Sequence, residues 1–298
     1  KQLQKLESMG LQLESVKGNG YRVSQGFELL QDKKIIAHLS TTAKTQLQTL
    51  QIYQSLDSTN RLAADEIMHR QSAQDSASGT VILSEYQTMG RGRRGKHWVS
   101  PFASNIYLSI VWDFDSGASA LQGLSLAIGV AVRRALTQIG VEQVQLKWPN
   151  DIYINQKKLG GILLEMVGDP AGQCTVIIGI GINVTMPDKS AQSIDQQWTD
   201  LKSCAGKFVS RNQLAALIVE SCFNILADYE VQGFTAYRDG WQANDAFRGK
   251  QGTIITPKQS IAGTIRGVNN VGALQMELKN GEINSFVGGE LSLRLGVD

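Results

Sequence analysis

The central part of the chain alternates short apolar runs with segments of helical spacing. Strand-like apolar runs cover residues 50–53, 80–86, 105–112, 144–148, 152–154, 162–167 and 176–184. Helical patterns run from the sequence DSTN to Arg70, over residues 118–139, and from the capping sequence at Ser210 towards Gly233. Because the strands come in runs between isolated helices, the pattern predicts a mixed sheet with helices on one side.

The first thirty residues have a different pattern. KQLQKLESMG places Leu3, Leu6 and Met9 at helical spacing and ends at Gly10, and LQLESV and YRV flank the turn sequence KGNG. A helix followed by a hairpin is the closing half of a winged-helix module, and an N-terminal cap on the next domain fits equally well. Residues 24–34 are interpreted as a connector.

From Phe247 onwards the pattern changes again. GTIIT, IAGTIRGV, ALQMEL, EINSF and LSLRL are short strand-like runs separated by turns rich in glycine and asparagine. This pattern predicts a small β-barrel. The expected fold class is therefore α+β, with a truncated winged helix-turn-helix at residues 1–30, a catalytic body at residues 31–246 and a C-terminal barrel at residues 247–298.

Composition narrows the class of protein. The chain has 298 residues, 42% hydrophobic and 19% charged, with a formal net charge of +2, so any contact with nucleic acid must come from a local patch. No apolar run approaches the ~20 residues of a membrane helix. Three cysteines without a CxxC pair predict reduced thiols in a cytoplasmic protein, and three scattered histidines predict no metal site. The chain begins with Lys1 rather than methionine and lacks a positively charged lead into an apolar segment, so we expect further residues upstream and no signal peptide.

The arginine loop, residues 90–98, begins with GRGRRG. These six residues match G-x-G-x-x-G, but KHWVSPFASN follows and predicts no helix that could receive a pyrophosphate, so a dinucleotide site is rejected. Ordering glycines costs about 1–2 kcal/mol each, and neighbouring arginines repel one another. We expect the loop to be mobile until a polyanion gathers its guanidinium groups. A solvated basic turn and a DNA phosphate contact are the alternatives.

Three other segments carry candidate chemistry. In VQLKWPND, alternation puts Val144, Leu146 and Trp148 on one face and leaves Lys147 on the other, where it could neutralise converging anions or simply lie on the surface. DSTN reads locally as a helix cap. KKLGGILLE reads as a hairpin and strand whose glycines permit close backbone approach.

Taken together and in order, these segments resemble the biotin–protein ligases, most closely the bifunctional bacterial type that also represses the biotin operon. The resemblance rests on DSTN, EYQTMGRGRRGKHWVSPFASNIYLS, KWPNDIYI, KLGGILLE, GIGIN and GGELSLR, and it spans nearly the whole chain. It implies a winged helix, an α/β ligase domain like that of class II synthetases and an SH3-like barrel. It also implies two steps: biotin and ATP give biotinyl-5′-AMP, and a carrier lysine then takes the biotin.

The resemblance also implies roles for individual residues. Lys147 and Arg91 would be catalytic. The biotin site would comprise Ser58, Thr59, Asn60, Gln87, Arg91, Gly92, Arg93 and Lys158. The ATP site would comprise Arg93, Trp98, Lys147, Asn183 and Arg294, with Mg²⁺ arriving alongside ATP and no protein metal ligands.

Partners follow from the same resemblance. The family implies a biotin carboxyl carrier protein of acetyl-CoA carboxylase as acceptor, a homodimer formed on adenylate binding, operator DNA for the full-length parent, and no membrane. Because the front of the helix-turn-helix is absent, we expect operator binding by this chain to be weak. A lipoate ligase is the related alternative.

Overall fold

The computed structural model describes residues 2–11, 13–18, 20–23, 27–168, 172–256, 259–288 and 291–295. Parts of three sequence predictions lie outside these residues: Gln12 and Asn19 in the first hairpin, residues 24–26 of the connector, and Gly289 and Glu290 of GGELSLR. No described helix combines the length and the apolar character needed to cross a bilayer.

The N-terminal unit is a short helix followed by a hairpin, as predicted. Its elements are α1 (Gln2–Ser8), β1 (Leu13–Val16) and β2 (Gly20–Val23), and the two strands are antiparallel. The unit contacts the body of the protein through Met9 and Gly10. Met9 O accepts a hydrogen bond of 2.8 Å from Phe102 N, and Gly10 packs so closely against Pro101 that a Cβ there would lie 2.7 Å from it.

The predicted connector is shorter than expected. Two helices that the sequence did not predict follow it, α2 (Asp32–His38) and α3 (Thr41–Gln46), so only its first part is extended. Residue Glu28 in that part accepts a hydrogen bond of 2.6 Å from Arg211 N. Arg211 Nη1 also lies 2.7 Å from Glu85 Oε2, in an ion pair rather than a directed hydrogen bond. The contact between Glu28 and Arg211 attaches the connector to the body, and the ion pair with Glu85 holds Arg211 in place.

The body is built on a seven-stranded mixed sheet, which confirms the predicted sheet type. Its strands are β3 (Thr49–Tyr53), β4 (Thr80–Ser84), β5 (Ile106–Phe114), β6 (Gln145–Lys147), β7 (Asp151–Ile154), β8 (Lys157–Gly168) and β9 (Cys174–Ile182). Their order is β3-β4-β5-β9-β8-β7-β6, and only β3 and β4 run parallel. The two glycines of GIGIN fall on β9, in the middle of the sheet.

Helices cover both faces of this sheet, so the expectation of helices on one side is wrong. The remaining helices are α4 (Thr59–Ser72), α5 (Leu124–Gln138), α6 (Asp188–Ala191), α7 (Leu201–Ala205), α8 (Arg211–Leu226), α9 (Tyr229–Gln232) and α10 (Thr235–Gln242). Helix α4 packs on Ile82, Val111 and Ile177, whereas α5 and α8 share a core with the alternate residues of the same strands. Period-two alternation of apolar residues on both faces makes this arrangement possible.

Two predicted helices are interrupted. The pattern over residues 118–139 begins with a 3₁₀ turn, and α5 starts only after Gly123, whose φ of 79° and close contact with Phe234 leave no space for a side chain. Helix α8 ends at Leu226, before the predicted end at Gly233, and α9 completes the segment. At the start of α8, Ser210 Oγ accepts a hydrogen bond from Gln213 N, as the capping sequence predicts.

The C-terminal part is a five-stranded antiparallel sheet. Its strands are β10 (Gln251–Ile255), β11 (Ser260–Val268), β12 (Leu274–Glu277), β13 (Ile283–Phe286) and β14 (Ser292–Leu295), in the order β13-β12-β11-β10-β14. All five predicted strands are present, and closure into a barrel stays a prediction. Trp148 Nε1 donates to Gly272 O at 3.1 Å, which ties this sheet to the body.

Candidate active site

A cleft of about 630 Å³ opens beside the central sheet, and every residue predicted for the site lines it. The walls come from the start of α4, the arginine loop, the strands β6 to β9 and the strand β14. Residues 193–196 and Trp198 line it as well. The structure thus brings together segments that are far apart in the sequence, although the role of each residue remains a prediction.

The floor at one end is a buried polar network. Gln87 Oε1 accepts a hydrogen bond of 2.9 Å from Thr59 N, and Gln87 Nε2 donates to Ser100 Oγ at 3.0 Å. The Ser109 hydroxyl lies 2.8 Å from Thr59 Oγ1 and 2.6 Å from Asn60 Oδ1. Each side chain is held by its neighbours, so this end is rigid and suits a small ligand with amide-like donors and acceptors.

Ser58 is the N-cap residue of α4, but its side chain makes no capping hydrogen bond. The interpretation of DSTN as a helix cap is therefore correct for the position of Ser58. The Ser58 hydroxyl is not used for capping, and Ser58 lines the cleft. Asn60, the second residue of α4, is buried against Gly179 of β9, where a Cβ would lie 2.3 Å from Asn60 Oδ1. Glycine is needed at that point because any side chain would displace the asparagine.

Two lysines share one carboxylate at the centre of the cleft. Asp151 Oδ1 lies 2.7 Å from Lys158 Nζ, and Asp151 Oδ2 lies 3.8 Å from Lys147 Nζ. Lys147 Nζ also donates to Tyr153 Oη at 3.1 Å and lies over the ring of Phe247. Burial lowers the pKa of Lys147 below its usual value; Asp151 counteracts this shift, and Arg294 adds to it. Together, Lys147, Lys158 and Asp151 carry a net positive charge.

The arginine loop folds back on itself over the cleft. Trp98 N donates to Gly90 O at 2.8 Å and Gly92 N donates to Lys96 O at 2.7 Å. Arg94 turns the chain in the left-handed region with a φ of 58°. These contacts give the loop a defined conformation. The expectation that it is mobile without a polyanion is a statement about dynamics, and it stays a prediction.

The three arginines of this loop reach different parts of the protein. Arg91 Nη2 lies 3.3 Å from Glu165 Oε2 on β8. Arg93 donates to Asn150 Oδ1 at 3.1 Å and to Leu291 O at 3.4 Å, and burial lowers the pKa of its guanidinium. Arg94 donates to Ser292 Oγ at 2.8 Å. The loop therefore bridges the body and the C-terminal sheet.

One wall of the cleft is aromatic and amide-lined, and Lys158 Nζ lies 5.5 Å from the centre of its Trp98 ring. The Trp98 indole lies flat against Gly181, where a Cβ would be 2.6 Å from the ring. Trp98 Nε1 and Asn183 Oδ1 are both buried without a hydrogen-bond partner among the described residues. A flat surface beside one unused donor and one unused acceptor suits a heterocyclic base.

Sequence reasoning missed several residues that shape the cleft. Within VQLKWPND, the sequence places Asn150 and Asp151 only in the turn after the strand, and it gives no role to Glu165 or Tyr153. Of these, Asp151 had a signal in the sequence, since it stands four residues after Lys147 and seven before Lys158. The described residues contain no group of three His, Cys, Asp or Glu side chains that could hold a metal ion.

Comparisons with known proteins show the family to which the chain belongs. Residues 52–183 match the Biotin/lipoate A/B protein ligase family. The chain is 35% identical over 294 residues to the Bifunctional ligase/repressor BirA of Escherichia coli (strain K12), an alignment covering 99% of this chain and 87% of that protein. The chain belongs to the biotin/lipoate A/B protein ligase family. The resemblance to biotin–protein ligases of the bifunctional type is thereby confirmed.

Two further ligases support the placement in this family. A biotin–acetyl-CoA-carboxylase ligase of Paracoccus denitrificans is 32% identical over 199 residues, covering 65% of this chain and 82% of that one. The structure of biotin protein ligase from Aquifex aeolicus in complex with biotin and ATP has a TM-score of 0.69 at 26% identity, covering 84% of this chain and 100% of that chain. The ligase fold therefore extends beyond residues 52–183.

Proposed function

We propose that the protein is an ATP-dependent biotin–protein ligase. The observation that carries this proposal is the cationic centre of Lys147, Lys158 and Asp151, which shares one cleft with the amide-lined floor and has the Trp98 ring 5.5 Å from Lys158 Nζ. The biotin ureido ring fits the floor at Thr59 and Gln87. Adenine fits against the Trp98 ring, and the reacting groups then meet beside Lys147 and Lys158.

In the first step, a carboxylate oxygen of biotin attacks the α-phosphorus of ATP, and the bond to the bridging oxygen of pyrophosphate breaks. Both reactants are anionic, so positioning and charge neutralisation dominate. Lys147 would neutralise charge on the carboxylate and the α-phosphate, Lys158 would line the biotin site, and Arg91 would contact biotin's carboxylate or the phosphate. The product is biotinyl-5′-AMP.

In the second step, the neutral amine of a carrier lysine attacks the acyl carbon of the anhydride. AMP leaves, an amide forms, and the amine gives up its proton. Arg93 and Gly92 would close over the adenylate, and Arg294 would reach its nucleotide part from β14. Closure excludes water, which would otherwise hydrolyse the anhydride.

Magnesium would accompany ATP, held by phosphate oxygens and water as this ion generally prefers. Asp151 is already neutralised by two lysines, so the donors at the centre of the cleft do not favour a cation held by the protein. No step above depends on the ion.

The acceptor we propose is a biotin carboxyl carrier protein of an acetyl-CoA carboxylase, and the location we propose is the cytoplasm. Incubation with biotin, ATP, Mg²⁺ and a carrier domain, followed by a streptavidin blot, tests the activity. A labelled carrier is expected. An unlabelled carrier, in a reaction where a known ligase labels the same carrier, would reject the proposal. Thermal shifts with biotin and with lipoate separate the lipoate alternative, because the bound ligand stabilises the native state.

A second function, operator binding by a ligand-dependent dimer, is favoured by the N-terminal helix and hairpin and by the 35% identity to a bifunctional ligase/repressor. A gel shift with biotinyl-5′-AMP present tests it. We expect weak binding by this chain with little sequence preference, and a sharp, sequence-specific shift would contradict that expectation. Sedimentation with and without the adenylate tests the dimer.

A further inference from the structure

Glu165 of β8 connects the arginine loop to the floor of the cleft. A single carboxylate oxygen, Oε2, lies 2.6 Å from Asn60 Nδ2 and 3.3 Å from Arg91 Nη2. One contact reaches a buried residue of α4, and the other reaches a half-exposed residue of the loop. No role in the reaction described above is assigned to this carboxylate.

The contact with Asn60 gives Glu165 a fixed position. The Asn60 amide is held from its other side, where the Ser109 hydroxyl lies 2.6 Å from Oδ1, and Gly179 leaves it no space to move. Its Nδ2 therefore points towards Glu165 and keeps the carboxylate beside the cleft. The Glu165 carboxylate that pairs with Arg91 is consequently held in place by Asn60, a residue of the floor.

The contact with Arg91 is of a different kind. The Arg91 and Glu165 side chains are 43% and 33% exposed, so water screens their attraction and the ion pair is weak. A biotin carboxylate or a phosphate carries the same sign of charge as Glu165 and offers the same oxygen acceptors. Such a ligand competes with Glu165 for the guanidinium of Arg91.

We propose that Glu165 is a latch, a positioning residue that holds Arg91 and the arginine loop in the ligand-free protein and releases them to the anionic ligand. The proposal rests on the proposed function for the identity of that ligand. Binding exchanges one ion pair for another, so the latch lowers ligand affinity and eases release of the loop when the acceptor lysine must enter.

The variant Glu165→Gln separates the two contacts, because its amide oxygen still accepts from Asn60 while the charge opposite Arg91 is lost. The loop contains four trypsin sites, at Arg91, Arg93, Arg94 and Lys96. Without ligand, we expect trypsin to cut the loop about two- to five-fold faster in E165Q than in the unaltered protein. With saturating biotin and ATP, the two rates should become equal.

Ligand affinity gives the second readout. By calorimetry, E165Q should bind biotinyl-5′-AMP about two- to five-fold more tightly, because the competing charge is gone. The matched control is Glu142→Gln, an exposed carboxylate outside the cleft, which should change neither quantity. Equal cleavage rates without ligand, or weaker adenylate binding in E165Q, would overturn the latch.

The cleavage assay in the ligand-free protein does not depend on ligase activity, so failure of the latch and failure of the proposed function are distinguishable. Should E165Q fold poorly, the unaltered protein provides the same test. Raising the salt concentration should accelerate cleavage of the loop, relative to a small peptide substrate, because salt screens an exposed ion pair. A rate independent of salt would reject the latch.

Discussion

Asp151 Oδ1 lies 2.7 Å from Lys158 Nζ, while the other oxygen of the same carboxylate faces Lys147 Nζ at 3.8 Å. All three side chains are largely buried, with 13% to 16% of their surface exposed. The Asp151 carboxylate therefore pairs with both lysine ammonium groups. It reduces the repulsion between them, and the centre of the cleft keeps a net positive charge.

Replacing Asp151 by Asn should destabilise the protein and slow adenylate formation. Losing one partner of a buried ion pair costs about 3 kcal/mol, so we expect a decrease of that order in the free energy of unfolding in urea. Biotin-dependent exchange of pyrophosphate into ATP should fall at least about tenfold. Asp239→Asn breaks an exposed ion pair with Arg238 and should change neither value, and equal effects of the two variants would contradict our assignment.

Replacing Lys147 by Ala should slow pyrophosphate exchange by a factor of about 100 or more, the usual effect of losing a group that stabilises developing charge. The melting temperature should change little by comparison. Lys250→Ala is the matched control, because Lys250 also lies over the Phe247 ring but does not line the cleft. Near-normal exchange in Lys147→Ala would remove this lysine from its proposed role.

Substitutions of the two glycines of β9 should affect the KM values of different substrates. Gly179→Ala should displace Asn60 and raise the KM for biotin, whereas Gly181→Ala should displace Trp98 and raise the KM for ATP. We expect about tenfold in each case, since a clash of this kind costs about 1–3 kcal/mol. Gly129→Ala on α5 meets its first neighbour at an ordinary 3.5 Å and should leave both KM values unchanged. Equal effects on both substrates would argue against separate sites.

Replacing Asp245 by Asn should stabilise the protein at neutral pH. Burial raises the pKa of Asp245 to about 6, and Oδ2 has no hydrogen-bond partner among the described residues. Because the folded state holds this proton more tightly than the unfolded state, stability falls as the pH rises from about 4 to about 6. Asp245→Asn should therefore gain about 1–3 kcal/mol at pH 7.5, and the gain should vanish at pH 4. A gain that does not depend on pH would exclude titration of Asp245 as its cause.

Strands were more predictable than the way in which helices pack on them. Each long apolar run became a strand because burial on both faces of the sheet requires a nearly continuous apolar sequence, as in β9. A nearly continuous apolar strand does not show which of its faces a helix covers, so the position of α4 could not be predicted. Helices α2 and α3 have seven and six residues, too few for a periodic pattern to be distinguished from a connector.

The residues of the candidate site could be predicted where they belong to recognisable sequence motifs. Lys147 and Lys158 were expected from KWPND and KLGG, but the carboxylate between them was not, because turn chemistry explains Asn150 and Asp151 equally well. The pairing depends on β7 and β8, whose register shifts between Ile152 and Tyr153. A one-residue change of register moves a side chain to the other face, and local spacing cannot show which register is adopted.

Arg93 and Arg94 bond to Leu291 and Ser292, beside a strand that is translated after every other described element. On the ribosome, the body can form the floor of the cleft and position both lysines while β14 is still inside the exit tunnel. A nascent chain would therefore have the reactive centre before it has the means to seal it. Competence to retain an activated acyl group therefore arises later in synthesis than the reactive centre itself.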